Sequence, residues 1–103
     1  MKTYHDYRGQ SIRLTGERRK HILEHPEMKG LLFNIKETLL EPQWVVQSLS
    51  DKDANLYYKF YFGTKVGDKY LCVVVKTIKH DAFVLTAYLT DTIKKGEVIW
   101  LRK

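Results

Sequence analysis

An α+β domain, two N-terminal helices followed by an antiparallel four- to five-stranded meander sheet, is the fold class this sequence predicts. Three observations predict it. Met28, Leu31, Leu32, Ile35 and Leu39 recur at helical spacing. Further along, the apolar period shortens to two, as in Phe83, Leu85 and Ala87 against Val84, Thr86 and Tyr88. Polar or glycine-bearing breaks at 51–53, 63–67 and 79–81 separate the strand-like runs. The order is helix, helix, then strands.

Residues 1–14 mix Tyr4, Tyr7, Ile12 and Leu14 with polar residues, and read as a loose lead-in over 1–11 or a short extended segment. Thr15 is a suitable N-cap, with Glu17 in the first turn where a carboxylate meets the helix dipole. That helix ends at His25, because Pro26 disfavours helical geometry in the residue before it. A second helix is expected from Glu27 to Leu40, stopped by Pro42, with its methionine and leucine stripe as core. Trp44–Ser48 reads as a strand. Leu56, Tyr58, Phe60 and Phe62 form one face of the next strand, Tyr57, Lys59 and Tyr61 the other. The centre is the run Tyr70–Lys76 with its return leg Ala82–Tyr88. A basic loop carrying Lys94 and Lys95 then leads to a short last strand at Val98–Leu101.

At 103 residues and 44% hydrophobic content the chain reads as one domain, 1–103, with a single core. A lone cysteine, Cys72, makes no internal disulfide and points to a reducing compartment. The first residues carry no apolar signal-peptide core, and no apolar run approaches the ~18 residues of a membrane span. A cytoplasmic protein with no membrane contact is expected. Net charge +6 favours an anionic partner, nucleic acid first and an acidic protein second.

The chemistry-bearing stretch is Arg18 to His25. His21 and His25, four apart, share a helix face, and each exchanges protons near neutral pH. RNA cleavage without metal needs a base for the 2′-hydroxyl, an acid for the leaving oxygen, and cations for the charged phosphorane. Arg18, Lys76 and Lys94 are candidate cations, and Thr86 and Tyr88 candidate hydrogen-bond donors to phosphate. From spacing alone, two surface histidines on a solvated basic helix is the favoured reading. The same residues match the His-x-x-Glu-His zinc signature. Pro26 follows directly and no third ligand is evident, so no metal and no cofactor are expected. Tyr58, among the aromatics and lysines of residues 55–62, is a candidate for stacking on a base. Cys72 in a buried strand reads as packing.

Arg18-x-x-His21-Ile22-x-x-x-His25-Pro26-Glu27, Leu71–Lys76, Val84–Tyr88 and Lys94-Lys95-Gly96-Glu97 occur in this order. Together they resemble the phage-associated branch of the barnase, EndoU, colicin-nuclease and RelE-like superfamily, from about residue 12 onward. The resemblance implies a small metal-independent endoribonuclease, often toxin-like, on a helix–helix–sheet scaffold. It implies an active site holding His21, Thr86 and Tyr88, with Lys76 nearby. It also implies RNA as substrate and an acidic antitoxin or immunity protein as a further partner. Lys94 and Lys95 join Arg18 and Tyr58 as substrate-binding candidates. No glutamate matches the barnase-like catalytic position, so base and acid stay unassigned. The alternative is a non-catalytic RNA-binding or antitoxin-partnered module.

One expectation is geometric. A three-residue turn at 79–81 pairs Val74 with Thr86 and sets Lys76, Thr86 and Tyr88 on one face. An even turn sends Lys76 to the other face unless a bulge intervenes.

Overall fold

The computed structural model describes residues 1–102. It is 51% strand and 20% helix, so the predicted order of two helices followed by an antiparallel meander does not hold. The strands are β1 (Lys2–His5), β2 (Ser11–Leu14), β3 (Trp44–Ser48), β4 (Ala54–Thr64), β5 (Gly67–Ile78), β6 (Asp81–Thr90) and β7 (Gly96–Leu101). Two helices, α1 (Gly16–Leu23) and α2 (Leu32–Leu40), lie between β2 and β3. All strands join one seven-stranded mixed sheet in the order β1-β2-β6-β5-β4-β3-β7.

Two placements overturn the predicted architecture. Residues 1–14 are part of the sheet, as a β1–β2 hairpin with Tyr4 and Ile12 facing each other and both buried. Asp6 builds its turn: Oδ1 accepts from the backbone N–H of Arg8 and of Gln10, both at 2.9 Å, while Gly9 takes φ 85°. β2 then lies parallel to β6, with Arg13 opposite Phe83. The Arg13 guanidinium donates to both Asp81 carboxylate oxygens, at 2.9 and 2.6 Å. The second placement is the last strand. β7 pairs antiparallel with β3 at the far edge instead of extending the sheet beside β6.

The helical segment is also divided where one helix was expected from Glu27 to Leu40. Pro26–Met28 forms a single 3₁₀ turn, and Gly30 at φ 82° breaks the path before α2 begins. A left-handed residue cannot lie inside an α-helix, and glycine adopts that geometry at least cost. The amphipathic spacing survives the break. Ile22, Met28, Ile35 and Leu39 are buried and pack with Leu71, Val73 and Val75 of β5. Strict alternation puts Cys72, Val74 and Lys76 on the opposite face, where Val46, Leu56 and Tyr58 form a second, smaller cluster. Both helices therefore cover the same face and leave the other without a helical layer. No helix of the described residues is long and apolar enough to cross a membrane.

Tyr57 ties the N-terminal hairpin to the sheet centre. Its hydroxyl donates to Asp6 Oδ2 at 2.7 Å, deep under the helices. Burial first, then this carboxylate, pushes the Tyr57 pKa well above its ordinary value, so the phenol stays a neutral donor. Tyr57→Phe leaves a buried carboxylate oxygen without that partner. It is expected to lower unfolding free energy by about 1–3 kcal/mol, measured by urea titration, with secondary structure unchanged by circular dichroism.

Candidate functional site

The β5–β6 turn has two residues, Lys79 and His80, both at positive φ (49° and 70°), which is the backbone of a tight twisted hairpin. An even turn alone would put Thr86 and Tyr88 under the helices. Pairing instead shifts between Val74 and Val75: Val75 opposes Val84, Val74 opposes Thr86, and Leu85 is the extra residue. This bulge turns Thr86 and Tyr88 onto the face of Cys72, Val74 and Lys76.

The segment from Asp91 to Lys95 crosses that same face as a strap between β6 and β7. Ile93 packs on the Val46, Leu56, Tyr58 and Cys72 cluster. The backbone N–H of Lys94 donates to Tyr58 Oη at 3.0 Å, and Lys94 Nζ sits 5.9 Å from the Tyr88 ring centroid. The strap lands at Gly96, where a Cβ would come within 2.3 Å of the Gln47 carbonyl oxygen. Only glycine fits that approach.

Between the strap and the Ser48–Asp51 loop lies a half-open cleft of about 430 Å³. Thr86, Tyr88, Lys94, Lys95, Asp51 and Ser48 are among its lining residues. Lys76 reaches the rim, its Nζ donating to Asp51 Oδ2 at 2.9 Å. The Lys76 bond and the Asp53 backbone N–H hold the Asp51 carboxyl below the usual range, and the same bond raises Lys76. The pair is ionised at neutral pH. Lys94 and Lys95 are exposed cations beside it. Farther along the same face, Trp44, Phe60 and Tyr70 line a shallower hollow, with Phe60 edge-on to both Tyr70 and Phe62.

The expected site residues thus fall into separate groups. Lys76, Thr86, Tyr88, Lys94 and Lys95 converge on the cleft. His21 and His25 do not. They stand exposed on the helical side, with ring centroids 6.3 Å apart and Nδ1 atoms 3.6 Å from Glu24 and 3.7 Å from Glu27. Arg18 is on α1 with His21, on the side of the sheet away from the cleft, whereas α1 ends at Leu23 and not at His25, which is extended ahead of Pro26. Spacing could not reveal this, because it places residues on a helix face but not on a sheet face. Tyr58 is fully buried and holds the strap, so it is not free to stack on a base. The Tyr88 hydroxyl, expected to donate to phosphate, is buried without a hydrogen-bond partner among the described residues; the Cys72 thiol lies beside it. Tyr88 offers the cleft its ring.

Asp51, Ser48, Trp44 and Tyr70 carry no functional signal in the sequence, whereas Phe60 and Phe62 lie within the 55–62 stretch read as able to stack bases. Asp51 reads there as an ordinary turn residue, and only the pairing of Ala54 with Lys76 brings it to the cleft. No set of three or more metal-ligating side chains gathers among the described residues. No family model, curated protein or solved structure matches the chain.

Cys72 is buried in the cluster beneath the strap with no exposed surface, and burial pushes its thiol up to about 11. Very little thiolate exists at pH 8, and access is blocked. An aromatic disulfide reagent should leave the folded protein unlabelled over hours at that pH and label one thiol promptly in denaturant. Prompt labelling of the native state would mean that the strap opens readily.

Proposed function

We propose that this chain binds single-stranded RNA through the cleft on its helix-free sheet face. What supports the reading is the meeting of Lys94, Lys95 and Thr86 in one half-open cleft beside a row of accessible aromatic rings. Lysines neutralise phosphate, the threonine hydroxyl donates to a phosphate oxygen, and bases stack on Phe60, Tyr70 and Phe62. RNA is chosen over DNA on the motif resemblance, and the cleft chemistry itself suits either backbone.

A second reading, metal-independent cleavage, is favoured by one observation. The Asp51 carboxylate is held ionised inside this cleft with the Lys76 ammonium against it. A carboxylate near a bound 2′-hydroxyl can act as base, and an ammonium can stabilise the phosphorane. His21 and His25 have no part in this arrangement, since the sheet separates them from Thr86.

Fluorescence anisotropy with a labelled single-stranded RNA tests both. Affinity should fall roughly tenfold between 50 and 200 mM salt, as expected for two or three phosphate contacts on a single strand. Joint Lys94→Ala and Lys95→Ala should weaken binding and flatten the salt slope, while His21→Ala leaves it unchanged. Asp51→Asn separates the readings: it removes a negative charge, so binding should tighten, and any chelator-resistant cleavage should drop by about 10²-fold. Salt-independent binding, or loss of binding in His21→Ala, would refute the cleft.

A further inference from the structure

We propose that two copies of this chain associate edge to edge through β7, antiparallel, to form one continuous sheet. Among the described residues β7 ends the sheet and leaves one side of its backbone unpaired. Its run Val98, Ile99, Trp100, Leu101 is exposed at 48, 41, 38 and 45%. No lysine or proline interrupts it. Sheet edges normally carry such residues, because an open apolar edge is a template for another strand. The opposite edge, β1, is protected in that way: it has four residues, and Lys2, Thr3 and His5 are exposed.

The occupant is read from the strand itself. Glu97-Val98-Ile99-Trp100-Leu101-Arg102 is complementary to its own antiparallel copy. About a two-fold axis, Glu97 faces Arg102 of the second copy, Val98 faces Leu101, and Ile99 faces Trp100. Opposite charges directly across two strands attract, and the symmetry makes that contact twice. The faces also agree. Residues opposed across two strands must point to the same side, yet Val98 and Leu101 are three apart and would diverge on a regular strand. β7 carries a bulge: Val98 opposes Val46 and Leu101 opposes Trp44, with Ile99 extra. Val46 and Trp44 belong to the helix-free side, so Val98 and Leu101 do too. The bulge thus makes the register self-consistent. A two-fold axis normal to the sheet keeps both clefts on one side of the dimer.

Sedimentation velocity across the micromolar range tests this on the full chain. The wild type should shift from monomer to dimer with concentration. Ile99→Lys should abolish dimer while melting temperature and circular dichroism stay those of the wild type. Glu97→Arg sets like charges against Arg102 and should weaken the dimer roughly tenfold, as should Arg102→Glu. The joint swap Glu97→Arg with Arg102→Glu should restore it. A wild type that stays monomeric throughout, or a dimer indifferent to Ile99→Lys, overturns the proposal. A joint swap that fails to restore association overturns the register.

Discussion

Leu85, unpaired on β6, is the constraint on which the cleft depends. The two-residue turn at Lys79 and His80 sets a register in which Thr86 would oppose Val73, beneath the helices. There its hydroxyl would need a partner in an apolar layer, at a cost of roughly 1–3 kcal/mol without one. The bulge moves every later side chain of β6 to the other face. Ala87 then fills the helical side, where a small residue suits close helix packing, and Tyr88 lies over Cys72. One residue therefore decides which side of the sheet carries the polar groups.

The strap answers a related problem. With both helices on one face, Val46, Leu56, Tyr58 and Cys72 would meet water unless the chain covers them. Residues from Asp91 to Lys95 do so while carrying the path from β6 to β7. In a flat sheet that path spans about four strand spacings of ~4.8 Å and about six residues of ~3.3 Å rise, a diagonal of roughly 28 Å. Six virtual bonds from Thr90 to Gly96 reach only ~22 Å. The sheet must coil enough to bring these corners together, and the glycine landing at Gln47 shows how close the approach is. Coiling also makes the covered face concave, which is why a cleft remains beside the strap.

Much of the local structure was legible in the sequence. The strand at Trp44–Ser48, β4 and the central hairpin follow from β-branched runs and period-two patterning, although β3 to β5 are buried on both faces at their centre and the bulge at Leu85 breaks the alternation expected through Tyr88. The N-terminal hairpin was not legible, although Ile12 and Leu14 alternate and Asp6 with Gly9 mark a turn. Its strands have four residues each, too short for alternation to stand out from chance. The position of β7 is a long-range fact: nothing in Val98–Leu101 tells β3 from β6 as its neighbour. The same limit explains the histidines. Their four-residue spacing suggested one helix face, but α1 stops at Leu23 and His25 is extended ahead of Pro26, and the side of the sheet on which α1 packs is decided by Ile22 and its partners in the core.

The electrostatics of the cleft follow from what lies beneath it. Burial raises the pKa of Tyr58 to about 12 and pushes Tyr88 higher still; the Cys72 thiol between them adds to both shifts. All three groups are neutral at physiological pH, so the floor carries no buried charge and needs no counter-ion. Charge is confined to the rim, where Lys94 and Lys95 are solvated and Asp51 partly offsets Lys76. An anion entering here meets cations that keep most of their hydration, above a floor that neither repels it nor neutralises it. Such a site binds by position and salt-sensitive attraction more than by desolvated ion pairs. That suits a repeating phosphate backbone, where each contact is weak and the sum is adjustable, better than a single tightly held small anion.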